Sequence, residues 1–355
     1  MTDRRFAYDA LAGRVVFGAG SRHKIADEID ALGATRILVI ASSFEATIAE
    51  GISAALGARV VGRFSDVVQH VPMTNVVAAL ATAKEVGADG LIAIGGGSAV
   101  GLAKALRLEL NAAFLAVPTT YAGSEMTTIW GRSDGGHKET GKDPRVKPDT
   151  VVYDVELTLS LPAKIAGPSA MNALAHCVEA LYGPGANPVI DLLALEGIRA
   201  LAAALPIVCG DDGLEARAEL QYGAYLAGVA LASGGTALHH KTCHVLGGMF
   251  DLDHGGMNAV MLGHALAYNA PVIPEQMKRI GDALGVSAVD VPGAVWELAR
   301  SIGAPTSLDA LGMPADGIDE ATRRVVIEAA ANVRPPQETL VRQMLDNAYH
   351  GRKPA

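Results

Sequence analysis

Aromatic residues make up only 5% of this chain, so a core of any size has to be built from Ala, Val, Leu and Ile, as in alternating strands and helices. Cysteine is equally scarce. Cys177, Cys209 and Cys243 are odd in number, far apart and free of any CxxC pairing, which argues against disulfides and against a structural zinc ribbon. Cys177 and Cys243 read instead as small apolar fillers on buried helix faces. No run of Lys and Arg is dense enough for a nucleic-acid footprint, and the net charge of −9 further disfavours a polyanionic partner. Eighteen consecutive apolar residues occur nowhere, and the first twenty residues lack the apolar stretch of a leader. A soluble, cytoplasmic protein with no membrane partner is the expectation.

Half of the 355 residues are apolar and 40 are glycine, a length and balance that suggest two domains and an α/β enzyme. RVVFGAG (14–20) reads as a short strand, followed by a helix over SRHKIADEIDALG with Ser21 as its cap and Gly33 as its stop. TRILVIASS (35–43) and ARVVGRFSDV read as buried strands around the helix FEATIAEGISAALG, and a further helix covers 74–86. The strand 90–94 runs directly into Gly95, Gly96, Gly97 and Ser98. A strand that feeds a glycine triplet opening a helix presents unpaired N–H groups and a helix dipole to an anion, and a dinucleotide pyrophosphate suits that cradle. The triplet comes late, not as a GxGxxG on a first strand. After the strand 112–120 comes YAGSEMTTIWG, a loop dense in hydroxyls, and then a hairpin turning at Gly135-Gly136 before VVYD returns as a strand. Strand patterns stop at Pro162; helical periodicity covers 169–182, 188–205, 214–233 and several segments after 274.

Residues 234–264 hold five of the ten histidines: His239, His240, His244, His254 and His264. His240 and His244 are four apart and share a helix face, and His254 follows a Gly-Gly break. Imidazole ligates metals and titrates near neutrality, so the cluster reads as a metal site, a proton-transfer site or both.

The order GGGS (95–98), PTTYAGSEMT (118–127), DPRVKPDTVVYDVELTLSLP (143–162), MNALAHCVEALYGPGANP (171–188) and the histidine stretch resembles the iron-containing alcohol dehydrogenase family nearly end to end. PTTYAGSEMT followed by Ile129-Trp130-Gly131 is similar to its maleylacetate-reducing branch. The resemblance implies the dehydroquinate synthase-like fold: an α/β N-terminal nucleotide-binding domain (1–160) plus an all-α C-terminal catalytic domain (161–355), with the active site in the cleft between them. It implies a homodimer, pyrophosphate binding by Gly95, Gly96, Gly97 and Ser98, and Thr119, Thr120 and Tyr121 near the cofactor riboses. Metal-dependent members carry an Asp four residues before a His, and two further histidines; the matching positions are Asn172, His176, His240 and His254. An amide replaces the anionic ligand, so metal affinity should fall and no metal is expected to be required. If an ion binds, those four residues hold it.

The implied reaction is NAD(P)H-dependent reduction of maleylacetate, a dianion, to 3-oxoadipate. Hydride adds to the double bond conjugated with the ketone, and a histidine protonates the enolate. His244 matches a family histidine near the nicotinamide and is the expected acid; His240 and His254 are expected to act as donors to substrate oxygens, with the imidazoles protonated. Arg145, Lys142 and Lys147 are weaker candidates for holding anions, since charged loop residues are usually solvated. The alternatives are a metal-dependent alcohol or lactaldehyde-type dehydrogenase, and a nucleotide-binding protein without catalysis. At the end of ILVIASSFE, Ser42 and Ser43 stand where strictly NADH-dependent relatives often place an acid, so NADPH should be tolerated; helix capping by these serines fits equally, and Glu45 restores the anionic guard if it turns back.

Overall fold

The computed structural model describes residues 6–134, 137–210 and 213–354. It separates into two compact units, one spanning Ala10–Leu161 and the other running from Pro162 onward together with the first residues up to Asp9.

The first unit follows the strand-helix rhythm of its sequence. In chain order it contains β1 (Arg14–Phe17), α1 (Ile25–Ala31), β2 (Ile37–Ala41), α2 (Ala46–Leu56), β3 (Val60–Phe64), α3 (Met73–Glu85), β4 (Gly90–Gly95), α4 (Gly97–Glu109), β5 (Ala113–Pro118), β6 (Ile129–Asp134), β7 (His137–Lys142) and β8 (Thr150–Tyr153). Six strands form one parallel sheet in the order β1-β8-β5-β4-β2-β3, while β6 and β7 make a separate antiparallel hairpin. The expected turn at Gly135-Gly136 lies outside the described residues. β2 and β4 are buried along their whole length, as strands covered on both faces must be. The chain leaves β2 for β3 in one direction and β4 for β5 in the other, so a crevice opens at the carboxyl ends of β2 and β4. Ser21 does not cap α1. Its hydroxyl donates to Tyr153 O at 2.9 Å, and a 3₁₀ turn over Ser21–Lys24 is capped from 132 residues away by Asp154, which accepts from the Gly20 and Arg22 amides.

The second unit is helical: α5 (Ala163–Ala180), α6 (Pro188–Cys209), α7 (Leu214–Gly234), α8 (Leu238–Phe250), α9 (His254–Asn269), α10 (Pro274–Leu284), α11 (Val291–Ser301), α12 (Ile318–Glu328) and α13 (Glu338–Tyr349). α5 begins six residues earlier than its periodicity suggests and contains Pro168. Among the described residues α6 alone is long and apolar enough to cross a membrane. Asp191, Glu196 and Arg199 interrupt it, however, and its Ile190, Ala194, Ile198 and Leu201 face is buried. Gly247 and Gly248 do not break α8. The helix runs through them and ends at Asp251, whose φ of 52° is the left-handed C-cap, before Asp253 caps α9. Cys177 and Cys243 are fully buried, as fillers should be, with the Cys243 sulfur 3.8 Å from His239 Nε2.

α9 buries His264 at 3% exposure, apart from the other histidines, with its Nε2 unpartnered among the described residues. Burial pushes this imidazole down from 6.5 to about 4. The unfolded chain takes up that proton near pH 6.5 and the folded chain does not until about 4, so stability present above 6.5 is lost as the pH falls through this window, by about 1.4 kcal/mol per pH unit. Thermal melts between pH 7 and 5 should show a falling midpoint with a shallower slope in His264→Leu; equal slopes would refute this assignment.

Candidate active site

Two constructions carry the chemistry, one in each unit. In the α/β unit β4 ends at Gly95 with a φ of 140°, Gly96 takes the N-cap position, and α4 starts at Gly97 without any side-chain cap. The amides of its first turn are therefore left for a ligand. A Cβ on Gly96 would stand 2.9 Å from Thr120 Oγ1, so any larger residue there would have to displace that side chain. Gly97 is exposed and Ser98 half-buried at the lip of the crevice. Thr119 Oγ1 donates to Glu45 Oε1 at 3.4 Å, and the Ser42 hydroxyl donates to Glu45 Oε2. Ser42 also caps the turn after β2 through the Phe44 amide. Glu45 does turn back, but beneath the glycine turn, where both its oxygens are engaged and its residue exposure is 7%.

Tyr121, expected near the cofactor riboses, has a fully buried side chain. The hydroxyl-rich loop is pinned from below: the buried Lys104 ammonium donates to Ser124 O at 2.6 Å, Thr127 Oγ1 at 2.9 Å and Ile129 O at 2.8 Å. Burial pushes this lysine down to about 7. Tyr153 donates to the buried Glu125 at 2.7 Å, whose carboxyl burial pushes up. Of the candidate cations, Arg145 is exposed and paired with Asp143, Lys142 is exposed, and Lys147 donates to Ala12 O at 2.8 Å.

In the helical unit, α5 carries Asn172, His176 and Glu179 on one face, three or four residues apart. The rings of His176 and His240 stack with centroids 4.1 Å apart, and His239 meets His240 edge-on. The Asn172 side chain lies between the two rings, its Nδ2 3.3 Å from His176 Nε2 and its Oδ1 3.3 Å from His240 Nε2. Glu179 accepts from the amides of Ala237 at 2.8 Å and His239 at 2.7 Å and from His240 Nδ1 at 2.8 Å, which orients that ring. His244 and His254 are exposed, and the His244 ring lies 6.5 Å from that of His240. Burial, then mutual repulsion, drives His176, His239 and His240 far toward the neutral form, His239 to about 3. The buried imidazoles are thus not the cationic donors expected from sequence.

The C-terminal pattern of the Fe-containing alcohol dehydrogenase family matches residues 167–349, and the iron-containing alcohol dehydrogenase pattern matches 12–155. The chain belongs to the iron-containing alcohol dehydrogenase family. It is 48% identical over 351 residues to maleylacetate reductase of Sphingobium indicum, covering 99% of each chain. The crystal structure of maleylacetate reductase from Agrobacterium tumefaciens superposes with a TM-score of 0.95 at 39% identity, over 99% of this chain and 100% of that one. Sulfoacetaldehyde reductase from Bifidobacterium kashiwanohense, solved in complex with NAD⁺, shares the fold at a TM-score of 0.90 and 21% identity, over 97% of this chain and 98% of that one. The protein is an oxidoreductase of a family that binds NAD(P).

Whether this member suits the family's metal is a question of donors. Glu179, His239 and His240 bring ligand-type atoms within 4.8 Å of one another. Glu179 is already saturated by N–H donors, however, and His239 Nε2 lies 3.0 Å from Asn258 O. Asn172, His176, His240 and His254 offer three imidazoles and an amide without an anion, and the amide occupies the imidazole Nε2 atoms that would face an ion. The set fits a divalent cation poorly. Sequence reading missed Glu179; its spacing from Asn172 and His176 could have placed it on their helix face.

Proposed function

We propose that this protein reduces maleylacetate to 3-oxoadipate with a nicotinamide cofactor and without a metal. Hydride from the reduced nicotinamide adds to the alkene carbon remote from the ketone; the electron pair of the double bond moves onto the ketone oxygen as an enolate. A proton then adds to the carbon next to the ketone, leaving the oxidised cofactor and the saturated product. The amide at Asn172 carries this reading: an Asp about 6 Å from a substrate carboxylate would repel it by roughly 2–3 kcal/mol at an effective dielectric near 20. The near full-length likeness to maleylacetate reductases supports the same substrate. Exposed His244 serves as the acid and exposed His254 as a donor to substrate oxygens, while half-buried Asn172 and buried His176 and His240 form the frame behind them. Gly95, Gly96, Gly97, Ser98, Thr119 and Thr120 hold the cofactor's pyrophosphate and neighbouring ribose, with Ser42 behind them.

The test is NADH consumption with maleylacetate before and after chelation. Activity is expected to be unchanged by the chelator, whereas Asn172→Asp should retain more divalent metal and raise KM roughly tenfold or more. Loss of native activity on chelation, with recovery on adding Zn²⁺ or Fe²⁺, would overturn the metal-free reading.

A further inference from the structure

At the carboxyl ends of β2 and β3 a cavity of about 230 Å³, several times the roughly 30 Å³ share of a water molecule, is lined by Ser42, Ser43, Glu50, Arg63 and Ser65. Its position follows from the sheet. Pyrophosphate on the glycine turn after β4 leaves the adenosine half of a dinucleotide to extend over β2, the strand on the other side of the crevice. In NAD-selective sites a carboxylate at the end of that strand accepts hydrogen bonds from the ribose and repels a 2′-phosphate. No such guard faces outward here, because both oxygens of Glu45 are engaged by Ser42 and Thr119 beneath the glycine turn.

Arg63 stands on edge strand β3 opposite Val39 of β2, is exposed, and forms no ion pair among the described residues. Ser43 and Ser65 are also exposed at the same cavity. A planar guanidinium flanked by hydroxyls suits a phosphate monoester, which it can grip through two parallel N–H donors. We infer that Arg63, with Ser43 and Ser65, binds the 2′-phosphate of NADPH and is the residue that determines the protein's choice of cofactor. Glu50 lines the same cavity, so one carboxylate opposes the one guanidinium. This balance gives admission of NADPH beside NADH and not exclusion of NADH.

The inference rests on the nicotinamide-dependent reading above, and its test is direct binding, which needs no substrate. Fluorescence titration of the native protein should give NADPH and NADH dissociation constants within about tenfold of each other. Arg63→Gln should weaken NADPH roughly tenfold or more and leave NADH within about twofold, while Glu50→Gln should tighten NADPH. Equal effects of Arg63→Gln on both cofactors, or none on NADPH, would overturn it, as would a native preference for NADH beyond about a thousandfold. Failure of maleylacetate turnover alongside the predicted binding pattern would sink the proposed reaction and leave the cofactor assignment standing.

Discussion

Replacing His244 with Gln should lower kcat for maleylacetate reduction by about 10²- to 10⁴-fold, the range lost with a general acid, while NADH binding stays nearly unchanged. Access and proton supply single out this histidine. His176, His239 and His240 are buried and held neutral, so they have neither the surface nor the proton to give. His244 is exposed one turn further along α8 and lines a cavity of about 380 Å³ together with Val245, Gly248, Arg324, Ile327 and Glu328. Glutamine keeps a hydrogen-bond donor but transfers no proton near neutrality, so a large loss in kcat without a matching rise in KM isolates the acid role. Partial recovery of the rate with added imidazole is the confirming observation. A variant with native kcat would remove His244 from the mechanism.

Glu179→Gln should cost about 3 kcal/mol or more of stability and lower kcat roughly 10- to 100-fold. The carboxylate accepts from backbone amides of Ala237 and His239 and from His240 Nδ1. A glutamine offers one acceptor oxygen and turns an NH₂ toward groups that are themselves donors, leaving buried N–H groups unpaired. Denaturant unfolding measures the first effect, and steady-state kinetics on the folded variant the second. Glu179 touches no substrate in this scheme and acts by positioning His240. Its loss should therefore also release the His240 ring, seen as a shifted imidazole signal in NMR. Native stability together with native kcat would show the carboxylate to be dispensable.

How far the sequence could be read depended on the distance between partners. The strand-helix alternation to residue 161, the glycine turn after β4 and the helical second half were legible because hydrophobic period and glycine placement are local signals. Glu179 was not, since a glutamate on a helix ordinarily reads as a solvated side chain and its partners lie 58 to 61 residues away. Asp154 was hidden for the same reason, as it caps a turn 132 residues earlier. The Gly247-Gly248 pair misled in the opposite sense. Glycine lowers helix propensity by about 1 kcal/mol but does not forbid a helix, and Val245 and Leu246 beside it are buried against the core and keep α8 intact. Ser42 does cap the turn after β2, and its hydroxyl also holds the inturned Glu45, a pairing that local sequence signals do not specify.

The first turn of a helix is normally where backbone amides meet water and exchange their hydrogens soonest. α8 has no side-chain cap of its own at Ala237, and the amides of Ala237 and His239 are closed off by a carboxylate from α5. In deuterated solvent those two hydrogens should persist about as long as those of the innermost strands, leaving only when α5 and α8 separate. The histidine stretch would then be kinetically sealed at the end where a helix usually frays first.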